Sequence, residues 1–118
     1  MSTDQLTETI PPDVETMRAT ASRALALAAP PTVADIVLLL EHLRGQVELM
    51  VREVEPLATA KPDSVVKTSA RYGVAEAHRK LSLGMGGPVS ARLAHARRLA
   101  RVLAALCTHY ETLAGNRA

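Results

Sequence analysis

The chain has no Phe and no Trp, and Tyr72 and Tyr110 are its only tyrosines. An interior built from Leu, Val and Ala follows, and the stacking platforms that single-stranded nucleic acids need are too few. Its one cysteine, Cys107, cannot close an intramolecular disulfide, so nothing in the fold depends on an oxidising compartment. No apolar run approaches the ~20 residues that span a bilayer; Ile36 to Leu40 is only a short one. The start, MSTDQLTETIPPDVE, is polar and acidic, without the positive-then-apolar order of a signal peptide, and a cytoplasmic protein is expected. The β-branched residues are too scattered to build several strands.

What is present favours helices. Ala and Leu, at twenty and sixteen residues, are the commonest types, and 118 residues suffice for one hydrophobic core. Residues 1–11 lack periodicity and read as a flexible, disordered N-terminal tail, leaving one domain over residues 12–115. Pro12 suits a first helical turn, and Val14, Met17, Ala21, Leu25 and Ala28 recur every three or four residues until Pro30 and Pro31. Thr32, with Asp35 three residues on, resembles a capping box. It opens the clearest amphipathic segment, in which Ile36, Leu40, Leu43, Val47, Met50, Val54 and Leu57 share one stripe until Pro56 limits the helix.

After a connection at residues 61–63, Val66, Ala70, Val74, Ala77 and Leu81 repeat the spacing with smaller side chains. Gly73 inside this helix costs up to about 1 kcal/mol relative to Ala, so a close approach by a neighbouring helix is expected there. The GMGGP stretch, Gly84 to Pro88, breaks the chain. Ser90 is a candidate cap for the last helix, with its stripe of Leu93, Ala96, Leu99, Leu103, Leu106, Tyr110 and Leu113 and a stop at Gly115. Four amphipathic helices with short connections predict an all-α, antiparallel up-down-up-down four-helix bundle.

Charge is unevenly divided. Residues 1–60 hold nine acids and four bases, a net of −5, and residues 61–118 hold three acids and ten bases, a net of +7. Acidic and basic helices facing each other along their edges account for this more readily than a nucleic-acid surface does. Arg97, Arg98 and Arg101 nonetheless form a basic surface on the last helix that suits phosphate contacts, and nucleic-acid binding through it is the leading alternative function. Against it, both C-terminal segments are long, and the GMGGP break replaces the tight turn of a helix-turn-helix.

Catalytic constellations are thin. Cys107 and His109, two apart on a helix, point about 200° away from each other and cannot be a local dyad; Cys107 reads as a buried thiol and His109 as a solvated side chain. Metal sites need Glu-x-x-His pairs or zinc spacings, and neither occurs: Glu41 and His42 are adjacent, and Glu76 and His78 are two apart. GMGG lacks the Lys and Ser or Thr that grip phosphates. No metal or cofactor is expected. Arg71 and His78, two helical turns apart, match the loose Arg-x-x-x-x-x-x-His spacing of the helical RNases called HEPN domains, although Tyr72 stands where a polar residue usually follows the Arg. No catalytic residue is assigned from the sequence. The breadth of helix two, where Val37, Leu38, Leu39, Leu49 and Val51 extend its apolar surface, implies a central position or cover by another chain, with a homodimer as one form of it.

The segments MRATASRALAL, LRGQVELMVREVE, VAEAHRKL and LAHARRLARVLAALCTHYETL together resemble a family of small actinobacterial proteins labelled natural product biosynthesis proteins, over about residues 14–113. Its most distinctive strings here are the LRG of Leu43 to Gly45, the HARRLAR of His95 to Arg101 and the ALCTHYETL of Ala105 to Leu113. The resemblance implies no site residues, and KTSARYG before and around Arg71 departs from the more apolar pattern of that family. With it, the sequence points to a non-enzymatic accessory or regulatory bundle that acts through protein–protein interaction in specialised metabolism.

Overall fold

Side-chain caps set the start of three of the four helices. In the computed structural model, which describes residues 11–27, 32–84 and 86–115, these are α1 (Val14–Leu25), α2 (Val33–Ala60), α3 (Val65–Leu81) and α4 (Val89–Ala114). Asp13 caps α1 by accepting from the Thr16 amide at 3.1 Å and from its hydroxyl at 2.7 Å, so Pro12 precedes the helix instead of opening it. Thr32 accepts from the Asp35 amide at the head of α2, as its spacing predicted, and Ser64 does the same for Lys67 at the head of α3. The last helix differs. Its N-cap is Pro88 with no side-chain cap bond, and Ser90 lies inside the helix. Gly115 ends it at φ 72°, with its amide donating to Glu111 O.

Two expectations about helix ends need correction. Helix α2 continues past Pro56 to Ala60. The proline removes only the bond to the Arg52 carbonyl, and both residues are exposed, where a helix tolerates that loss best. Helix α1 ends at Leu25, ahead of the prolines, and buries Ala24 while Leu25 is 39% exposed. The tail expected over residues 1–11, Pro11 apart, lies outside the described residues, as do Ala28, Pro30, Pro31 and Met85.

Cross-helix bonds give the directions. Arg18 near the start of α1 meets Glu111 near the end of α4, and Arg97 near the start of α4 donates to the Leu27 carbonyl just past α1, so these helices run antiparallel. Arg44 Nη1 donates to the Leu81 carbonyl at 2.8 Å, setting the first half of α2 beside the end of α3 and satisfying one of that helix's terminal acceptors. The result is a four-helix up-down-up-down bundle. It is not a square one: α4 packs against α1, α2 and α3, its longest contact being with α2, whereas α1 touches α2 slightly and α3 not at all.

The core lies along the α2–α4 contact. Ile36, Leu40, Leu43, Val47, Met50 and Val54 of the predicted α2 stripe are fully buried against Leu99, Leu103 and Leu106, and Leu57 is half-buried. The broad buried face belongs to α4, which adds His95, Ala100, Val102 and Cys107 to its stripe because it has neighbours on three sides. On α2, Leu38 is 65% exposed instead.

Candidate functional site

Between the second half of α2 and α3 runs a cleft of about 360 Å³, lined by Glu55, Ala58 and Thr59 on one side and Lys67, Arg71, Val74, Ala75 and His78 on the other. The spacing of Lys67, Arg71 and His78 places all three on the flank of α3 that faces α2. Lys67 is fixed there, donating to the Lys61 carbonyl at 3.0 Å and lying 3.7 Å from Asp63. His78 Nε2 stands 4.0 Å from Glu55 Oε2, with the two side chains 59% and 58% exposed. Arg71 and His78 therefore do share one cleft, as their spacing implied, and Glu55 joins them from another helix, where no spacing rule could find it. An imidazole, a carboxylate and two cations are the materials of acid–base chemistry on an anion. The cleft is open to solvent, however, and a pair so exposed is weakly coupled.

The flanks of α4 carry the remaining polar groups. His109 is not a solvated outer residue: it is half-buried, its ring lies against Gly73 of α3, and burial pulls its pKa below the ordinary histidine value. The close approach expected at Gly73 is thus this side chain. Cys107 faces the opposite way, fully buried, and burial pushes its thiol pKa up, with Arg18 opposing and Glu111 adding to the shift. A thiol so placed is a packing element, not a nucleophile.

His95 was missed by sequence reasoning, which treated it only as part of a string. Its side chain is buried, at 4% exposure, and its Nε2 has no hydrogen-bond partner. Burial lowers its pKa, and the positive charges of Arg44, Arg98 and Lys80 act in the same direction. The signal available was its place in the i, i+4 series with Leu99 and Leu103, which puts it on the core face.

The basic surface read from Arg97, Arg98 and Arg101 is divided by the fold. Arg97 turns to the α1 side and donates to the Leu27 carbonyl at 2.8 Å. Arg98 and Arg101 lie on the α3 side, sharing a depression of about 250 Å³ with Glu76, Lys80, Val102 and Ala105. The acidic helix α2 does pack along the basic helices α3 and α4, yet few ion pairs cross between helices: among the described residues they are Arg18–Glu111 at 2.6 Å and the 4.0 Å His78–Glu55 contact. Lys80 and Arg79 pair with Glu76 within α3. Among the described residues, no three of His, Cys, Asp and Glu gather as metal ligands, and no helix is long and apolar enough to cross a membrane.

A bundle of this shape, with an open polar cleft and a basic depression, defines an all-α helical protein. The chain belongs to the family of unknown function DUF6415, whose family model matches residues 15–115. Comparison with curated proteins and with solved structures found no match.

Proposed function

We propose that this protein is a non-catalytic accessory or regulatory bundle that binds an acidic segment of a partner protein along the outer face of α3. The observation that carries the reading is the exposure of Tyr72, at 73%, on the same face as Val65, at 82%. The chain has two tyrosines and no larger aromatic side chain, and it spends one of them on the surface beside Arg71. Tyr and Arg are the residue types that most often dominate binding energy at protein interfaces. Thr68, Arg71, Tyr72 and Ala75 border a shallow depression there, which gives an apolar side chain somewhere to sit. Outside the groove shared with α4, helix α3 bears Lys67, Arg71 and Arg79, so charge complementarity favours an acidic partner. Two copies pairing through this face about a two-fold axis would oppose the same cations, so a homodimer fits it poorly. The resemblance of HARRLAR and ALCTHYETL to actinobacterial natural product biosynthesis proteins supports a role in specialised metabolism.

Affinity capture from the native host with wild type, Tyr72→Ala and Arg71→Glu proteins tests this, alongside light scattering of the purified chain. A partner that is retained by wild type, lost by both variants and bound through an acidic segment is the expected result. Partners captured equally by all three, or a dimer abolished by Tyr72→Ala, would overturn the reading.

A second reading, RNA cleavage, is favoured by one observation: Arg71, His78 and Glu55 line the same cleft. Incubating RNA with wild type and a folded His78→Ala variant decides it, since equal turnover or none removes the idea.

A further inference from the structure

The depression between α3 and α4 poses an electrostatic problem that the fold leaves unsolved. Arg98 and Arg101, one turn apart on α4, face Lys80 across the groove. Like charges at such spacing repel. Glu76 is the only carboxylate lining the depression, and it is already shared by Arg79 and by Lys80, the latter at 3.1 Å. Among the described residues neither Arg98 nor Arg101 has an ion-pair partner. The floor is Val102 and Ala105, side chains too short to fill the space.

One turn before Arg98 on α4 is His95, buried and with Nε2 unpartnered. Burial lowers its pKa first, and the positive charges of Arg44 on α2 and of Arg98 and Lys80 in the groove add in the same direction. The groove cations Arg98 and Lys80 thus add to the positive charge around a buried imidazole.

We propose that the depression is a phosphate-binding site, in which Lys80, Arg98 and Arg101 surround a phosphoryl group of a small organic phosphate or of a polynucleotide backbone. Two guanidinium forks and an ammonium supply donors from two helices, which suits a tetrahedral anion with several acceptor oxygens. At about 250 Å³ the space admits one or two phosphoryl groups. Bound phosphate would offset the repulsion among the three cations. The site is separate from the outer face of α3, and it replaces the set of three arginines that the sequence offered with a set that drops Arg97 and adds Lys80.

Calorimetric titration at low ionic strength with sodium pyrophosphate, and in parallel with a thymidine homopolymer oligonucleotide, tests the site. The proteins are wild type, Arg98→Gln/Arg101→Gln, Ala105→Leu and Arg97→Gln, each checked for folding by circular dichroism. Ala105→Leu fills the floor without altering charge. Pyrophosphate binding that weakens by about tenfold or more in the double variant and in Ala105→Leu, yet stays within about twofold in Arg97→Gln, is the expected result. Oligonucleotide binding alone, with the same dependence on the variants, assigns the phosphate chemistry to a polynucleotide backbone. Binding of neither probe, or an equal loss in Arg97→Gln, overturns the proposal.

Discussion

The ring of His109 rests on the α-carbon of Gly73: a Cβ placed there would lie 2.8 Å from both Cδ2 and Nε2 of the imidazole. Glycine in mid-helix normally costs up to about 1 kcal/mol relative to alanine, and here it admits a neighbour's side chain. Gly73→Ala is therefore expected to leave stability unchanged or lowered in the wild-type background, and to raise it by up to about 1 kcal/mol in a His109→Ala background. Urea denaturation of the four proteins of this cycle measures the coupling. Additive effects would mean that the ring moves aside freely.

Acid should destabilise the protein in a window set by His95 and His109. Both have folded pKa values below the ordinary 6.5, chiefly through burial. Above about 6.5 neither state is charged at these rings and their contribution is fully present. As pH falls below it, the unfolded chain takes up protons first, and stability drops until the folded values are passed. The slope is bounded at about 1.4 kcal/mol per pH unit for each histidine. Chemical denaturation at pH 7.5, 6 and 5 reads it, and His95→Leu should flatten the profile.

Cys107 is expected to resist alkylation. Its thiol is fully buried and its pKa is raised, so little thiolate forms and reagent cannot reach it. Modification by a chromogenic disulfide under native conditions should proceed only as fast as the bundle opens, and become rapid in denaturant. Fast native modification would contradict the burial.

Leu103 lies at the α2–α4 contact with no exposed surface. Leu103→Ala should cost about 2–5 kcal/mol, since the fully buried α2 and α4 side chains around it have little room to collapse into the space. Removing the Arg18–Glu111 pair, whose side chains are 39% and 56% exposed, should cost well under about 1 kcal/mol. Thermal unfolding of both variants compares a buried methylene skeleton with a surface ion pair.

Periodicity made the core legible because apolar side chains recurring at four and three must face one way. Every α2 position from Ile36 to Val54 in that stripe is buried. It failed where the neighbour decides: Leu25 and Ala24 are both compatible with an α1 stripe, and it is the smaller one that is buried. His109 read as solvated because nothing in its own helix announces a glycine across the groove. Arg71 and His78 were legible as a pair since two turns of one helix align them, whereas Glu55 arrives through tertiary packing. Arg97 and Arg98 are neighbours in sequence, but 100° of rotation sends one towards α1 and the other towards α3.

The helix that the other three lean on, α4, is the last of the four to be made. On the ribosome, α1 emerges with scarcely a partner in α2 and none in α3, and its main support, Val89–Ala114, is translated more than sixty residues later. A growing chain that has not reached Val89 lacks the α4 side of the cover over the greasy stripe of α2, the kind of surface that chaperones hold and that aggregates in their absence.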